Sequence, residues 1–585
     1  MIRNPANIND FWASLIVDEL FRHGVKVFCI SPGSRSTPLT VAAAAHDRTE
    51  TQIALDERGS AFYALGYARA TNHPAVLICT SGTATANYFP AVVEAYQSRI
   101  PLIILSADRP PELRDTGANQ TIDQVGIYGS YVNWAIDLPV PDTAIKPEFV
   151  LSSVDHAVYR SIRPPAGPVH INCMFREPLE PQSVPVNADY VNSITVWSPH
   201  QEPWTRYTQS ASILSETELR ALATELDSSE KTLLTVGRTG NHTTLTAIAD
   251  LARATGWPVF ADITSGWHSG DDRIFTIHWY DQLLATESFK KLLAGCRILH
   301  FGDPLTSKRF LQFVTANPPG HYIHIHDHSR RQDPAHSITR RIETDIAAFC
   351  SGLKRLIKRS EPDSEFNIFN ERAGKVVEDF IEQLTDISEI AIAKMIAATL
   401  PGGQGLFLGN SMPVRDFDMF GRLKNYPIRV GANRGASGID GSVASAAGFA
   451  KGISAPVTAV IGDLAFLHDL NSLDLIRKSK HRVILVVINN NGGGIFSFLP
   501  IAGYKEVFEP YFATPHNLHF RSAAELFGIN HTKVTDPANF LSEYRQGLKQ
   551  ENHYIIEVIT DREENYALHR KLLDRIITET DGGKE

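Results

Sequence analysis

The chain has 585 residues, too many for one hydrophobic core, so about three domains of ~150–200 residues each are expected. Hydrophobic residues make up 43% and charged residues 21%, the proportions of an ordinary globular protein. A formal net charge of −9 and a pI near 6.2 exclude a nucleic-acid or anionic-membrane surface as the main partner, and no block of like charge offsets that balance.

The opening residues read as the start of the fold. Phe11, Leu15, Ile16 and Leu20 form a helical stripe interrupted by Asp10, Asp18 and Glu19, which predicts an amphipathic helix and no leader. No stretch reaches the ~18–20 apolar residues that cross a bilayer, so no membrane span is expected. The five cysteines (Cys29, Cys79, Cys173, Cys296, Cys350) are scattered, odd in number and without metal-ligand spacing. They are expected to be buried reduced thiols of a cytoplasmic chain.

Short β-branched runs follow at 25–30, 75–80, 102–106 and 169–174, with a shorter apolar run at 53–55. Further runs lie at 232–237, 258–262, 297–303 and 322–327, then at 406–409, 457–462, 483–489 and 554–560. Longer amphipathic stretches separate them. This alternation predicts an α/β fold of three doubly wound parallel-sheet domains. Residues 184–207 carry Pro185, Pro199 and Pro203 with little periodicity, and 355–365 is charged and contains a proline. Both read as connections, placing the domains at 1–185, 208–355 and 375–585.

Ligands of open α/β sheets bind beyond the carboxyl ends of strands, so the residues at those ends carry the functional reading. In chain order they include Arg35 in SPGSRSTP, Glu57 in DERG, Arg109 in ADRPP, Lys308 and Arg309 in TSKRF, Arg415 in NSMPVRD and Arg434 in ANRG. Guanidinium groups recognise carboxylates through paired hydrogen bonds, so basic groups in five such loops of an acidic protein predict a polyanionic substrate. Glu57 sits where a strand becomes a helix, a place where the helix dipole alone also favours an acid. The most informative segment runs from VTAVIGDLAF at Val457 to VILVVINNNGGGIF at Val483. Gly462–Asp463 leaves one buried strand and Asn489, Asn490 and Asn491 leave the next, entering Gly492–Gly494. A carboxylate and an amide oxygen at adjacent strand ends form a hard-oxygen site suited to Mg²⁺, and the glycines let a diphosphate approach the backbone. Gly-Asp is also a common turn, and at Gly270–Asp271 and Gly302–Asp303 it recurs without Asn-Asn downstream.

A Gly-Asp followed about two dozen residues later by Asn-Asn resembles the diphosphate-binding motif of thiamine-diphosphate enzymes. The resemblance implies that Asp463, the side chain of Asn490 and the main-chain oxygen of Gly492 hold Mg²⁺ or Mn²⁺. It places Gly462, Leu464, Ser411 and Ile495 at the cofactor, and Leu464 stands where many relatives have a third glycine. It makes Glu57 the acid that bonds to N1′ of the aminopyrimidine ring and activates the cofactor, and Ile439, in RGASGIDG, the bulky group that bends it. Taken with DERGSAFYALGYA, TSGTATANYFPAVVEA, ADRPPELRDTGANQTIDQ and GDLAFLHDLNSL, the loops above are similar to the 2-succinyl-5-enolpyruvyl-6-hydroxy-3-cyclohexene-1-carboxylate synthase family of menaquinone and phylloquinone biosynthesis. That family consists of transferases that decarboxylate 2-oxoglutarate and add the succinyl carbanion equivalent to isochorismate in a 1,4 sense. By this match Arg415, Arg434 and Ser411 would grip the 2-oxoglutarate side. Ser34, Arg35, Arg109, Asn119, Gln120, Lys308 and Arg309 would line the isochorismate side, with Arg35, Arg415 and Arg434 joining Glu57 in catalysis. The superfamily pairs the pyrimidine-binding domain of one subunit with the diphosphate-binding domain of another, so a homodimer or dimer of dimers is expected. Two other readings stay open: an acetolactate-synthase-type carboligase, and a non-catalytic cofactor-binding subunit.

Overall fold

The computed structural model describes residues 5–194, 197–227, 230–358 and 363–582; part of the charged stretch 355–365 lies outside them. The described chain forms three parallel sheets. The first contains β1 (Val27–Ile30), β2 (Glu50–Ile53), β3 (Ala75–Cys79), β4 (Leu102–Asp108), β5 (Trp134–Leu138) and β6 (Pro168–Met174), in the order β2-β1-β3-β4-β6-β5. The second contains β7 (Thr232–Val236), β8 (Val259–Ala261), β9 (Arg297–Phe301), β10 (Tyr322–His326) and β11 (Arg340–Glu343), in the order β11-β10-β9-β7-β8. The third contains β12 (Gly405–Leu408), β13 (Arg429–Ala432), β14 (Val457–Gly462), β15 (Val483–Asn489), β16 (Asn530–Val534) and β17 (Tyr554–Ile559), in the order β13-β12-β14-β15-β17-β16. The three-sheet α/β expectation holds.

The backbone groups into two compact units. One comprises Met1–Gln209, Asn433–Ser454 and His468–His481, and the other Ser210–Ala432, Ala455–Leu467 and Arg482–Glu585. In the first, β1, β3, β4 and β6 are buried along their whole length, as strands covered on both faces must be. The helix Glu57–Thr71 packs against the helix Ser442–Ile453 almost backbone to backbone. A Cβ on Gly66 would lie 2.1 Å from the carbonyl oxygen of Ser445, and one on Gly448 would lie 1.9 Å from that of Tyr63. The proline-bearing stretch after β6 docks on the first helix, Ile8–Arg22. Glu19 of that helix accepts Trp197 Nε1–H and the Trp204 N–H, both at 2.6 Å.

In the second unit, one apolar core runs from Leu233, Phe260 and Phe289 beside the second sheet to Leu406, Val486 and Ile556 of the third. All five cysteines are free and buried, as expected. Among the described residues no helix is long and apolar enough to cross a membrane.

Candidate active site

Strands β14 and β15 are parallel neighbours with Gly462 opposite Ile488, so the residues that follow them emerge side by side. Asp463 opens the helix Asp463–His468 and is only 1% exposed. Its Oδ2 accepts the Gly492 N–H at 2.9 Å and lies 3.1 Å from His516 Nε2, and its Oδ1 accepts the Leu464 N–H at 2.7 Å. Burial pushes this carboxyl above its ordinary range, and the Gly492 N–H and His516 oppose the rise. Asn490 Nδ2 donates to Glu389 at 2.8 Å, which leaves Asn490 Oδ1 buried without a hydrogen bond. A buried acceptor left unmet costs roughly 1–3 kcal/mol, and a coordinated cation would remove that cost. Gly492 has φ +134°, and a Cβ there would fall 1.9 Å from the Ala513 carbonyl oxygen, so only glycine fits. Its carbonyl accepts the Gly494 N–H at 2.9 Å and keeps one lone pair. The donors are all oxygens, the kind a hard divalent cation takes.

A cavity of about 310 Å³ in the same unit is lined by Lys308, Arg309, Arg415, Ile495, Phe498 and His569, among others. It gathers four residues anticipated from three separate segments of sequence. Two of those segments are not loops as expected. Lys308 and Arg309 form the first turn of the helix Lys308–Ala316, capped by Ser307, whose Oγ accepts the Phe310 N–H at 3.0 Å. Arg415 lies one turn into the helix Met412–Phe420 and donates through Nη1 to the Ser411 carbonyl at 2.5 Å. Ser411 has φ +68°, a turn tight enough to start the helix directly after β12. Arg309 pairs with Asp281, which also accepts Ser307 Oγ–H at 2.5 Å.

In the first unit, Glu57 is the first residue of its helix, half-buried, and its Oε2 accepts Asn87 Nδ2–H at 3.1 Å. Asp56 is the helix cap, bonded to the Arg58 N–H at 2.9 Å, which commits it structurally. The RGASGIDG loop is held by Glu94, which accepts the N–H groups of Gly435 and Ala436 at 2.9 and 2.6 Å. Glu94 is 2% exposed and pairs with Arg69 at 3.1 Å. Removing it would take a carboxylate from a buried guanidinium and untie the loop. Arg434 is half-buried on this loop, and Ile439 is 39% exposed.

Arg35, Arg109, Asn119 and Gln120 converge near the carboxyl ends of β1, β3 and β4. Arg35 donates to the Phe175 carbonyl at 2.9 Å and pairs with Glu177 at 3.2 Å. Burial, then the nearby charge of Arg109, depresses its pKa. Arg109 donates to the Asn119 carbonyl at 3.0 and 3.3 Å. Gln120 Nε2 donates to the Ser81 carbonyl at 3.0 Å, and Ser81 Oγ returns a bond to the Gln120 carbonyl at 2.9 Å. Ser34 is exposed on the loop that carries Arg35.

Three family models match the chain in succession. Residues 12–127 match "Thiamine pyrophosphate enzyme, N-terminal TPP binding domain", 188–408 "Middle domain of thiamine pyrophosphate", and 424–558 "Thiamine pyrophosphate enzyme, C-terminal TPP binding domain". The chain is 45% identical to the 2-succinyl-5-enolpyruvyl-6-hydroxy-3-cyclohexene-1-carboxylate synthase of Rubrobacter xylanophilus, over 97% of this chain and 98% of that protein. It is 44% identical to the synthase of that name from Chlorobium phaeobacteroides, over 97% and 98%, and 43% identical to that of Prosthecochloris aestuarii, over 99% of each. The chain belongs to this synthase family of thiamine-diphosphate enzymes. It is therefore an enzyme whose first and last matched segments are built to bind thiamine diphosphate.

Membership in the synthase family does not by itself point to Glu389, His516 or Glu94, and the sequence reading passed over all three. Each is an ionisable residue on an amphipathic stretch or in a long loop, where a polar side chain ordinarily faces water. Glu389 is buried at the start of the helix Glu389–Thr399, and burial, followed by the nearby Asp416, pushes its carboxyl up to about 8. Its ordinary value is 4.5, so between pH 4.5 and about 8 the folded chain holds a proton that the unfolded chain releases. Stability from this group is complete below that window and falls as pH rises through it. Glu389→Gln keeps an acceptor for Asn490 and is expected to raise the melting temperature of the metal-free chain at pH 8 but not below pH 4.5. Calorimetric scans that show the same difference at both ends would refute the raised carboxyl.

Proposed function

We propose that this enzyme decarboxylates 2-oxoglutarate with thiamine diphosphate and adds the four-carbon unit to isochorismate in a 1,4 sense, releasing CO₂, in menaquinone or phylloquinone biosynthesis. The observation that carries the reading is the cavity where Lys308, Arg309 and Arg415 converge beside Ile495 of the diphosphate loop. A pocket so rich in cationic groups suits substrates that each bear two carboxylates.

When bound, the cofactor supplies the electron sink for loss of CO₂. The protein does the rest. Glu57 accepts a hydrogen bond from the aminopyrimidine ring and holds a proton at that nitrogen. Asp463, Asn490 Oδ1 and the Gly492 carbonyl would hold Mg²⁺ or Mn²⁺ for the diphosphate, and Gly462, Leu464, Ile495 and Ile439 would contact the cofactor. Arg415, Arg434 and Ser411 orient 2-oxoglutarate. Ser34, Arg35, Arg109, Asn119, Gln120, Lys308 and Arg309 orient isochorismate. In this reading 1–185 binds the pyrimidine, 375–585 binds the diphosphate and metal, and 208–355 lies between them in sequence. The working form is a cytoplasmic homodimer or dimer of dimers in which Glu57 serves a site whose Asp463 belongs to the partner chain.

The test is a mixture of enzyme, 2-oxoglutarate, isochorismate, thiamine diphosphate and Mg²⁺, with one component omitted at a time. Isochorismate absorbance is expected to fall only in the complete mixture. Its persistence there would sink the proposal.

A further inference from the structure

The C-terminal helix Arg562–Asp581 contributes a wall to the cavity that the proposed function leaves unassigned. Tyr566, His569 and Leu573 recur at helical spacing and so share one face, with Arg570 beside them. His569, Arg570 and Leu573 line the cavity together with Lys308 and Arg415. The helix is keyed to both neighbouring parts of the site. Arg562 Nη1 donates to the Asn491 carbonyl of the diphosphate loop at 3.0 Å. Phe498 sets its ring edge-on to Tyr566 and His569, with centroids 5.1 and 5.2 Å apart. His569 Nε2 lies 3.1 Å from Oδ1 of buried Asp416, the residue after Arg415, which ties this turn to the helix carrying Arg415.

The charges of the cavity do not cancel. Both lining carboxylates are engaged: Asp281 with Arg309 and Ser307, and Asp418 with the Ile263 N–H and the Tyr280 hydroxyl, each at 2.9 Å. Arg415 is turned to the Ser411 carbonyl, and His569 faces Asp416. Among the described residues, Lys308 and Arg570 have no ion-pair partner. Two exposed cations therefore face this space without an ion-pair partner among the described residues, and the same lining supplies Met412, Ile495 and Phe498 as apolar surface. Such a surface fits a compact dicarboxylate whose carbon frame rests on the apolar groups.

We infer that Arg570 binds a carboxylate of one of the two substrates, sharing the cavity with Lys308; the inference rests on the proposed function for the identity of those substrates. Its planar fork would take the carboxylate by two parallel hydrogen bonds. Arg570→Gln in the full-length, cofactor-loaded enzyme is expected to raise KM for 2-oxoglutarate or for isochorismate about ten- to a hundredfold, the range of a lost charge-assisted bond. The substrate whose KM moves is the one whose carboxylate Arg570 holds, and turnover at saturation should stay within about threefold. A rise below about fivefold for both substrates overturns the inference. So does a larger rise accompanied by a lowered melting temperature, which would mark Arg570 as a packing residue. Calorimetric titration with succinate reads the same contact without turnover. A wild-type chain inactive on both substrates would sink the proposed function alone, and Arg570 would then stand only if the Gln variant weakens succinate binding by at least about fivefold. A wild-type chain that binds no succinate in that case sinks the inference as well.

Discussion

Glu57→Gln is expected to lower turnover by ~10²–10⁴-fold while thiamine diphosphate binding stays within about threefold. The substitution preserves the size of the side chain and its reach to Asn87, 3.1 Å away. What it removes is the negative charge that, in the proposed mechanism, favours a proton on the aminopyrimidine nitrogen. The fold should scarcely notice, since an acid in a first helical turn contributes only ~0.3–1 kcal/mol through the helix dipole. Activity and stability therefore separate cleanly at this position. Hydrogen–deuterium exchange at C2 of the bound cofactor, followed by NMR, gives the direct readout. Exchange as fast as in the wild type would remove Glu57 from its role, whatever happens to turnover.

The legibility of the fold depended on where a strand lies in its sheet. Every interior strand, from β1 (Val27–Ile30) to β17 (Tyr554–Ile559), coincides with a largely apolar run, because strands covered on both faces bury most of their side chains; the buried polar groups within them, such as His300, His324 and Glu557, did not break the signal. The strands β5, β11, β13 and β16 were not anticipated, and each is a sheet edge. Arg340–Glu343 and Asn530–Val534 show why: one flank meets solvent, polar residues are tolerated, and the hydrophobic signal disappears. The second strand of the first sheet was read at 53–55 from its apolar residues. It lies at Glu50–Ile53, and Leu55 is 79% exposed beyond it.

The site divided along similar lines. Asp463 and the Asn489–Asn491 exit were legible because hard-oxygen chemistry and close backbone approach restrict what can stand at those strand ends, whereas the choice of Asn490 and of the Gly492 carbonyl came from the resemblance. The arginines were legible as a set but not in their setting, since Lys308 and Arg415 look like loop residues until the capping Ser307 and the left-handed Ser411 are seen. His516 and Arg570 carried no signal at all. A histidine between Pro515 and Asn517, and an arginine in a charged terminal helix, are what any solvated surface would show. Only the 3.1 Å approach of His516 to Asp463, and the placement of Arg570 on a cavity wall, set them apart.

Asp463→Asn is expected to weaken divalent-ion-dependent cofactor binding by more than ~100-fold, since it neutralises the only charged donor of the set. The amide cannot reproduce the carboxylate's present bonds either. Two oxygens now accept the Leu464 and Gly492 N–H groups, and an amide offers only one acceptor. Quenching of protein fluorescence by thiamine diphosphate, titrated with Mg²⁺, measures the loss; binding equal to wild type would exclude Asp463 as a ligand. The two inactive variants also test the proposed assembly when mixed. If a site draws Glu57 from one subunit and Asp463 from the partner, a mixed dimer of Glu57→Gln and Asp463→Asn chains contains one site with both defects and one with neither. Random subunit exchange makes about half the dimers mixed, so about a quarter of wild-type activity should return. If both residues of a site came from the same chain, every site in the mixture would carry one defect and no activity would return. Recovery thus reads out which chain supplies each residue, a distinction that neither variant makes alone.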